Sequence, residues 1–595
     1  MVMRGPANRL SVGWRRGLAV LLVATLPACT SDLIAEGGGV SPDDGARFGG
    51  AMSPGVSGFG NYLAGRFAQN QNDLEIASDY LSRALKRDPE NTELLQRTYL
   101  AMAADGRIED AATVAKRLLT FDGDAAIAAL LVAEQEAKAG NWPAVEATIA
   151  LLPNRGLNTF MIPLMTGWAR AGQGRFDEAL QAFQPLSQNS SFATLYDFHS
   201  ALVCDLADRR KEAGQFYRNT LTGAGGSTLR TTEAAIAFLR RTGQDSKAAE
   251  LVAAYRRNHP EGTMLDGDRP NTRPVASAAD GMAEALFDTA GSLRQGRAAE
   301  LALIFARMAV DLEPDFPLAQ VMVGDLLQGL GRLREANAVF RQINRSSPVY
   351  WTAQLRVAAN QDDMDDVDGA IRTLEDLAAQ NHDRPEALVT LGDVLRRHRR
   401  WGEAVTAYDR ALQDLGPARR DHWGIYYSRG IALERDKRWT RAESDFLKAL
   451  ELEPDEPHVL NYLGYSWIEQ GVNLDAGRQM IEKAVAQLPK DGYIVDSLGW
   501  AYYRSGDFPK AVEVLEQAAE LHPEDASIND HLGDALWKVG RAEEARFQWQ
   551  RALTFDPEPD LRQQIEAKLA ANPPPALPVN PQGLAVPPDK ISTTP

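Results

Sequence analysis

The chain has 595 residues, of which 44% are hydrophobic and 24% charged, a composition typical of a folded soluble protein. Its formal net charge of −17 argues against binding nucleic acid through the phosphates, because that requires a basic face. The two cysteines, Cys29 and Cys204, form no metal-binding or redox motif. We expect Cys204, in the apolar stretch HSALVCDLA, to be a small buried residue.

Residues 1–28 have the layout of an export signal. Basic residues come first, an apolar run from Gly17 to Leu26 follows, and small residues close the segment. The apolar run is too short to make a comfortable transmembrane helix. The sequence therefore predicts a signal peptide and an exported protein.

The end of this segment, LPAC, resembles the lipobox of bacterial lipoproteins, although Pro27 departs from the small residue usual at its position. The resemblance implies that Cys29 is lipidated and becomes the first residue of the mature protein. Thr30, where an Asp would imply inner-membrane retention, then points to an outer membrane lipoprotein facing the periplasm. The alternative is cleavage after Ala28, which gives a soluble periplasmic protein, but Leu26 is a poor fit to that cleavage site.

Residues 29–57 are rich in Gly, Pro, Ser and Asp. Such a segment has too little apolar surface to fold by itself. We therefore expect a flexible tether between the anchor and the folded body.

The folded region repeats a short pattern. Gly499 and Gly533 correspond, 34 residues apart, and so do Ala511 and Ala545. The early position, ideally Gly, occurs at Gly65, Tyr99, Val132, Gly167, Ala201, Ile236, Ala290, Gly324, Ala358, Gly392, Gly430, Gly464, Gly499 and Gly533. An Ala follows twelve residues later in each copy, and a Pro closes many of them. A period of this size predicts stacked copies of one helical unit.

This pattern resembles the tetratricopeptide repeat (TPR) family over residues 58–559, most clearly from Gly392 onward. The resemblance implies an all-α solenoid, a right-handed superhelix of about 14 helix-turn-helix repeats. A stretch rich in Pro, Gly and Asp, 263–282, is predicted to be a linker or long loop between an N-terminal array, 58–262, and a C-terminal array, 283–559.

Two segments follow the repeats. Leu561, Ile565 and Leu569 form an i, i+4, i+8 stripe, which predicts a capping helix over residues 560–571. Residues 572–595 are Pro-rich and are predicted to be a disordered tail.

The TPR resemblance also implies a ligand groove on the concave face, lined by positions 2, 5, 9 and 12 of the first helix of each repeat. The corresponding residues in the last repeats are Asn461, Tyr465, Asp496, Trp500, Tyr503, Asp530, Asp534 and Trp537. Aromatic rings mixed with carboxylates and amides suit an extended ligand. The alternative is that these aromatic side chains are buried against a neighbouring turn of the superhelix.

No motif for catalysis, metal binding or a cofactor occurs in the sequence, so we predict neither an enzyme nor a cofactor. The chain looks like the TPR lipoproteins of the bacterial cell envelope. The expected function is a protein-binding scaffold that holds other envelope proteins by extended segments. A scaffold for polysaccharide export or glycan binding is the alternative, motivated by the Trp, Tyr and Asp residues of the predicted groove. An enzyme with a site outside recognisable motifs is a third class.

Overall fold

The computed structural model describes residues 57–223, 228–258, 272–295, 298–382 and 384–571. Within these ranges the chain forms 29 α-helices, one short 3₁₀ helix and no strand, which confirms the predicted all-α fold. No helix in these ranges is long and apolar enough to cross a membrane. The signal peptide, Cys29, the tether and the tail lie outside the described residues.

The helices follow in chain order: α1 (Gly58–Asn70), α2 (Leu74–Leu85), α3 (Thr92–Asp105), α4 (Ile108–Leu118), α5 (Ala126–Lys138), α6 (Trp142–Ile149), α7 (Asn158–Gly172), α8 (Phe176–Ser187), α9 (Ala193–Leu206), α10 (Arg210–Thr222), α11 (Leu229–Arg241), α12 (Asp245–Asn258), α13 (Ala278–Gln295), α14 (Ala299–Leu312), α15 (Pro317–Gly329), α16 (Leu333–Gln342), α17 (Tyr350–Asp363), α18 (Val367–Gln380), α19 (Glu386–Arg397), α20 (Trp401–Leu415), α21 (Trp423–Arg435), α22 (Trp439–Leu452), α23 (Pro457–Gln470), α24 (Leu474–Gln487), α25 (Gly492–Arg504), α26 (Phe508–Leu521), α27 (Ala526–Lys538), α28 (Ala542–Thr554) and α29 (Pro559–Ala570).

The first 28 helices alternate along the chain as the first and second helices of fourteen units. In thirteen of these units, from α1 with α2 to α27 with α28, the two helices pack against each other. Every early position of the sequence repeat lies in the first helix of a pair, and every predicted Ala lies in the second. At Gly167 and Gly324 the reason for a small residue is direct. The ring of Phe183 or Phe340 from the second helix lies against the glycine and leaves no room for a Cβ. Close contact between the two helices therefore sets the repeat.

Two repeats depart by one residue from the predicted register. Ala144 is only half-buried and Ala476 is exposed, whereas the next residues, Val145 and Gly477, are buried. In the second case a Cβ on Gly464 would come within 2.6 Å of the Gly477 carbonyl oxygen. Gly464 and the next early position, Gly499, are 35 residues apart rather than 34. This one extra residue moves the small position of the second helix one residue along the chain.

Aspartate side chains cap the starts of α26 and α27. Asp507 accepts a hydrogen bond from the backbone N–H of Lys510, and Asp525 accepts one from Ile528. Each bond pairs a backbone donor that would otherwise be unsatisfied at the helix start. Gly506 and Gly540, with φ of 84°, make the tight turns between the two helices of their pairs.

The chain divides into two compact units after Asn360, which gives a first unit of described residues 57–360 and a second of 361–571. The described residues 272–282 of the predicted linker lie within the first unit, and from Ala278 onward they form the start of α13. Helices α13 and α14 therefore belong to the same compact unit as the pairs that precede them.

Helices α13 and α14 pack against the first helices of four earlier pairs. Helix α13 contacts α7 and α9, and α14 contacts α3 and α5. Gly281 lies against the ring of Trp168, where a Cβ would not fit, and the Thr289 hydroxyl donates to the Met161 sulfur at 3.0 Å. These contacts cover the side of the first unit that its first helices form.

Buried polar contacts join α13 to the same helices. The Trp168 indole N–H donates to Nδ1 of His199 at 3.0 Å, and Nε2 of His199 lies 3.2 Å from the Asp288 carboxylate. Arg230 of α11 pairs with Glu284, whose side chain is fully buried. Because buried polar groups are costly when left unpaired, these contacts specify where α13 packs.

Candidate ligand-binding groove

The residues predicted to line a groove lie on α23, α25 and α27, the first helices of the last three pairs. Helix α25 contacts both α23 and α27, so the three helices form one side of the second unit. Three of the predicted residues are half-buried: Asn461, Tyr465 and Trp537. The other five are buried: Asp496, Trp500, Tyr503, Asp530 and Asp534.

Trp500 lies in a stack of three rings. It is 4.7 Å from Tyr503, with 9° between the ring planes, and 4.1 Å from His531, with 19° between the planes. Its indole N–H donates to the Glu469 carboxylate, which also pairs with Arg504 at 2.8 Å. Burial raises the pKa of Tyr503 well above its usual range. Both faces of the Trp500 ring are therefore occupied by the chain itself.

Asp496 pairs with a residue that the sequence did not indicate. Its carboxylate lies 2.9 Å from Nδ1 of His531. His531 thus contacts Trp500 through its ring face and Asp496 through its ring nitrogen. This histidine of α27 holds together two of the predicted groove residues on α25.

Asp530 and Asp534 are bridged by a lysine from α29. The Lys568 ammonium, whose side chain is 7% exposed, donates to each carboxylate at 2.8 Å. Asp534 also accepts the indole N–H of Trp549 at 3.0 Å. Burial, and then the charge of Asp530, raises the pKa of Asp534 to about 6. Both carboxylates therefore already have hydrogen-bond partners within the chain and are not free to bind a ligand.

Helix α23 carries the half-buried part of the predicted groove. His458, Asn461 and Tyr465 are spaced i, i+3 and i+7, so they share one side of the helix. Nδ1 of His458 and Oδ1 of Asn461 are buried and have no hydrogen-bond partner. A buried acceptor without a partner costs about 1–3 kcal/mol. A polar group that reached these atoms, once the side chains around them moved aside, would recover that free energy.

Four contributing residues were not predicted from the sequence: His458, Glu469, His531 and Lys568. Lys568 is three residues after Ile565, which is fully buried, so it shares the inward side of α29. A lysine on the buried side of a capping helix was the available signal for a buried acidic partner. His458, Glu469 and His531 carried no such signal.

The second unit has no equivalent of α13 and α14 among its described residues. Its first helices contact their neighbours in sequence, and no helix pair packs across several of them. In the described part of the chain, no group of three or more His, Cys, Asp and Glu side chains could hold a metal ion. Cys204 is fully buried, as predicted.

Comparison with known sequences identifies tetratricopeptide repeats. The family model described as tetratricopeptide repeat matches residues 360–420, 427–492 and 497–559, and a second model of that description matches 60–91. The TPR repeat-containing protein PA4667 of Pseudomonas aeruginosa is 36% identical over 75 residues, which is 13% of this chain and 13% of that protein. The match therefore spans a small part of the relative's length.

Three solved structures match the chain at low sequence identity. The Cut9–Hcn1 hetero-tetramer of the APC/C has a TM-score of 0.36 and 13% identity, covering 87% of this chain and 97% of that one. Yeast Tom70 has a TM-score of 0.33 and 11% identity, covering 86% and 94%. MamA has a TM-score of 0.25 and 20% identity, covering 28% and 97%.

Proposed function

We propose that this chain of tetratricopeptide repeats is a non-enzymatic scaffold of the bacterial cell envelope. It binds protein partners through the first-helix side of its second unit, residues 361–571. A lipid on Cys29 holds it at the outer membrane, with the folded body in the periplasm. The repeat fold supports the general role, because stacked helix pairs present extended surfaces that are typical of protein-interaction scaffolds.

The observation that carries the proposed binding site is a pair of buried polar atoms on one side of α23 that have no hydrogen-bond partner. Oδ1 of Asn461 and Nδ1 of His458 are buried without partners, next to the half-buried ring of Tyr465. An extended segment offers backbone N–H donors at regular spacing, and these match acceptors along a helix side. Tyr465 then supplies apolar contact area to the same segment.

The charges in this region favour a partner recognised by its backbone and apolar side chains. Asp530 and Asp534 already pair with Lys568, and Asp496 already pairs with His531. A basic partner would have to compete with these buried ion pairs, and breaking one by removing a partner typically costs about 3–5 kcal/mol. Recognition through Asn461 and Tyr465 needs no such exchange.

The test is an affinity pull-down from detergent-solubilised envelopes with the full chain and with an Asn461→Ala, Tyr465→Ala variant. Truncating an anchor residue of an interface commonly costs about 2 kcal/mol, so we expect a loss of at least about 30-fold in affinity for captured proteins. The affinity is then measured by calorimetry with the purified partner.

The matched control is Phe547→Ala with Gln550→Ala, which removes one aromatic ring and one amide from the exposed side of α28. Partners captured equally by the wild type and both variants would contradict the site on α23. Binding of cell-surface oligosaccharides that the Asn461 and Tyr465 variant loses, without any captured protein, would favour the glycan alternative.

The anchor has a separate test. Cys29→Ala should abolish labelling by radioactive palmitate and should release a processed protein into the periplasm or leave it uncleaved. A processed Cys29→Ala protein that still partitions with the membrane would contradict the lipoprotein assignment, without bearing on the site on α23.

A further inference from the structure

Helix α1 exposes an apolar stripe. Phe59, Leu63 and Phe67 are 70%, 50% and 66% exposed, and their i, i+4, i+8 spacing places them on one side of the helix. Terminal repeats of a solenoid normally present a polar outer face, because no neighbouring repeat covers it. An exposed stripe of two phenylalanines and a leucine therefore requires a cover.

The other repeats show what normally covers this position. Phe67 lies two residues after Gly65, the early position of its repeat. In the other first helices, the residue two positions after the early position is buried, except in α13. Examples are Leu326, 5% exposed, and Ala535, 0% exposed. The exception in α13 is the polar Ser292. Helices such as α15 and α27 contact the helix immediately before them in the chain, namely α14 and α26.

We infer that residues 46–56 of this chain cover the α1 stripe, in the place that the preceding helix takes in the other repeats. The register supports this assignment. A proline lies ten residues before the early position in several repeats, as Pro489 does before Gly499 and Pro523 before Gly533. Pro54 lies eleven residues before Gly65, so the segment meets α1 at nearly the same point.

The composition of the segment fits the stripe. Phe48 and Met52 lie before Pro54-Gly55 and supply two apolar side chains for the stripe that α1 exposes. Pro54-Gly55 is a dipeptide that favours a reversal of chain direction. The segment ends at Ser57, whose hydroxyl accepts from the backbone N–H of Gly60 and caps α1. The chain can therefore turn at Pro54 and run back along the helix.

The size of the stripe argues against a second copy of the chain as the cover. Three side chains at these exposures offer roughly 350 Å², taking about 200 Å² for each full ring. A stable dimer needs about 800 Å² from each partner. A segment joined directly to α1 needs less, because its effective concentration at the helix is on the order of millimolar. This inference does not depend on the proposed function, and it shortens the tether to residues 30–45.

Hydrogen exchange measured by mass spectrometry on the full chain, purified in detergent, tests the inference. Amides of residues 46–56 should exchange at least about ten-fold more slowly than in an unstructured peptide. The variant Phe59→Ser, Phe67→Ser should remove that protection. The reciprocal variant Phe48→Ser, Met52→Ser should remove it too, while α1 remains helical by circular dichroism.

The control is Phe121→Ser with Phe547→Ser, which removes two exposed rings outside α1, 54% and 60% exposed, and should leave the exchange of residues 46–56 unchanged. Unprotected exchange of this segment in the wild type would overturn the inference. So would a wild-type dimer that becomes monomeric in the Phe59 and Phe67 variant. A third contrary result is binding of the Cys29→Ala protein to phosphatidylethanolamine–phosphatidylglycerol vesicles that is lost when Phe59 and Phe67 are also replaced.

Discussion

The two compact units use the side formed by their first helices in different ways. In residues 57–360 that side is covered by the chain itself, because α13 packs on α7 and α9 and α14 packs on α3 and α5. In the described part of 361–571 no helix pair does this. There, rings and carboxylates of α25 and α27 pair with one another or with α29, whereas His458 and Asn461 of α23 each keep a buried polar atom without a partner.

The comparison teaches that one repeat pattern can build either a side that the chain itself covers or a side that it leaves uncovered. What differs is whether a later helix pair folds back onto the earlier first helices. In the first unit this contact turns a solenoid surface into a buried one, held by His199 with Asp288 and by Arg230 with Glu284. The second unit is therefore where we place the partner site.

The largest effect expected from a single substitution comes from breaking the attachment of α13. Arg230→Met leaves the fully buried Glu284 without its cation, and removing one partner of a buried pair costs about 3–5 kcal/mol. Urea denaturation, followed by hydrogen exchange in each unit, should show this loss in residues 57–360 and not in 361–571. Arg420→Met is the matched control, since Arg420 is 77% exposed in its pair with Glu453 and should matter little. Equal losses for both variants would contradict a special role of α13.

A smaller loss is expected on removing the central ring of the second unit. Trp500 is 7% exposed and stacked on both faces, so Trp500→Ala should destabilise residues 361–571 by about 3 kcal/mol. The affinity per folded molecule for captured partners should not change, whereas the Asn461 and Tyr465 variant should lose it. Thermal denaturation and calorimetry on the same samples separate these results. Weaker binding by Trp500→Ala at unchanged stability would show that the ring contacts the ligand directly.

The two units should also respond to pH in different ranges. Burial raises the pKa of Glu134 in the first unit to about 9, and burial raises that of Asp534 in the second to about 6. A carboxyl whose pKa is raised by folding contributes full stability below its unfolded pKa, near 4, and this is lost as pH rises through the folded value. At about 1.4 kcal/mol for each unit by which a pKa is raised, we expect a loss on the order of 3 kcal/mol for Asp534 and roughly twice that for Glu134.

Urea unfolding at pH 4, 6, 7.5 and 9, with exchange read separately in each unit, checks this prediction. The second unit should weaken mainly between about pH 4 and 6, and the first should continue to weaken up to about pH 9. Asp534→Asn should flatten the pH dependence of the second unit, and Glu134→Gln should flatten that of the first unit. Identical pH profiles for the two units, or no change in the variants, would contradict the assignment.

The smallest effect concerns an ion pair that joins the two ends of the second unit. Arg399, between α19 and α20, pairs with Glu558 at the start of α29 at 2.6 Å, and the side chains are 56% and 44% exposed. Exposed pairs contribute about 0–1 kcal/mol and weaken with salt. Arg399→Ala should therefore change the unfolding free energy by less than about 1 kcal/mol, and the difference should vanish in high salt. A larger, salt-independent loss would mean that this contact helps to define the fold of the unit.

Much of the architecture was determined by local constraints and could be predicted from the sequence. Two helices that cross closely need a small residue at the crossing, as at Gly167 against Phe183, and this need recurs in every copy. The period therefore predicted fourteen helix pairs. It failed only where one residue was inserted or the early position was weak, so that Gly477 and Val145 replaced the predicted Ala476 and Ala144. The same local spacing placed the candidate groove residues on first helices.

Only the tertiary structure decided how those first helices are covered. A repeat pattern records contacts between neighbouring pairs, so it is the same whether α13 continues the stack or folds back onto α7 and α9. For the same reason, the sequence left open whether Trp500 faces a ligand or packs. Its burial arises from His531 on the next first helix, and Lys568 reaches Asp530 and Asp534 from α29. Such contacts depend on how closely successive pairs approach, and that distance is set by the packing of all their side chains together rather than by any one repeat.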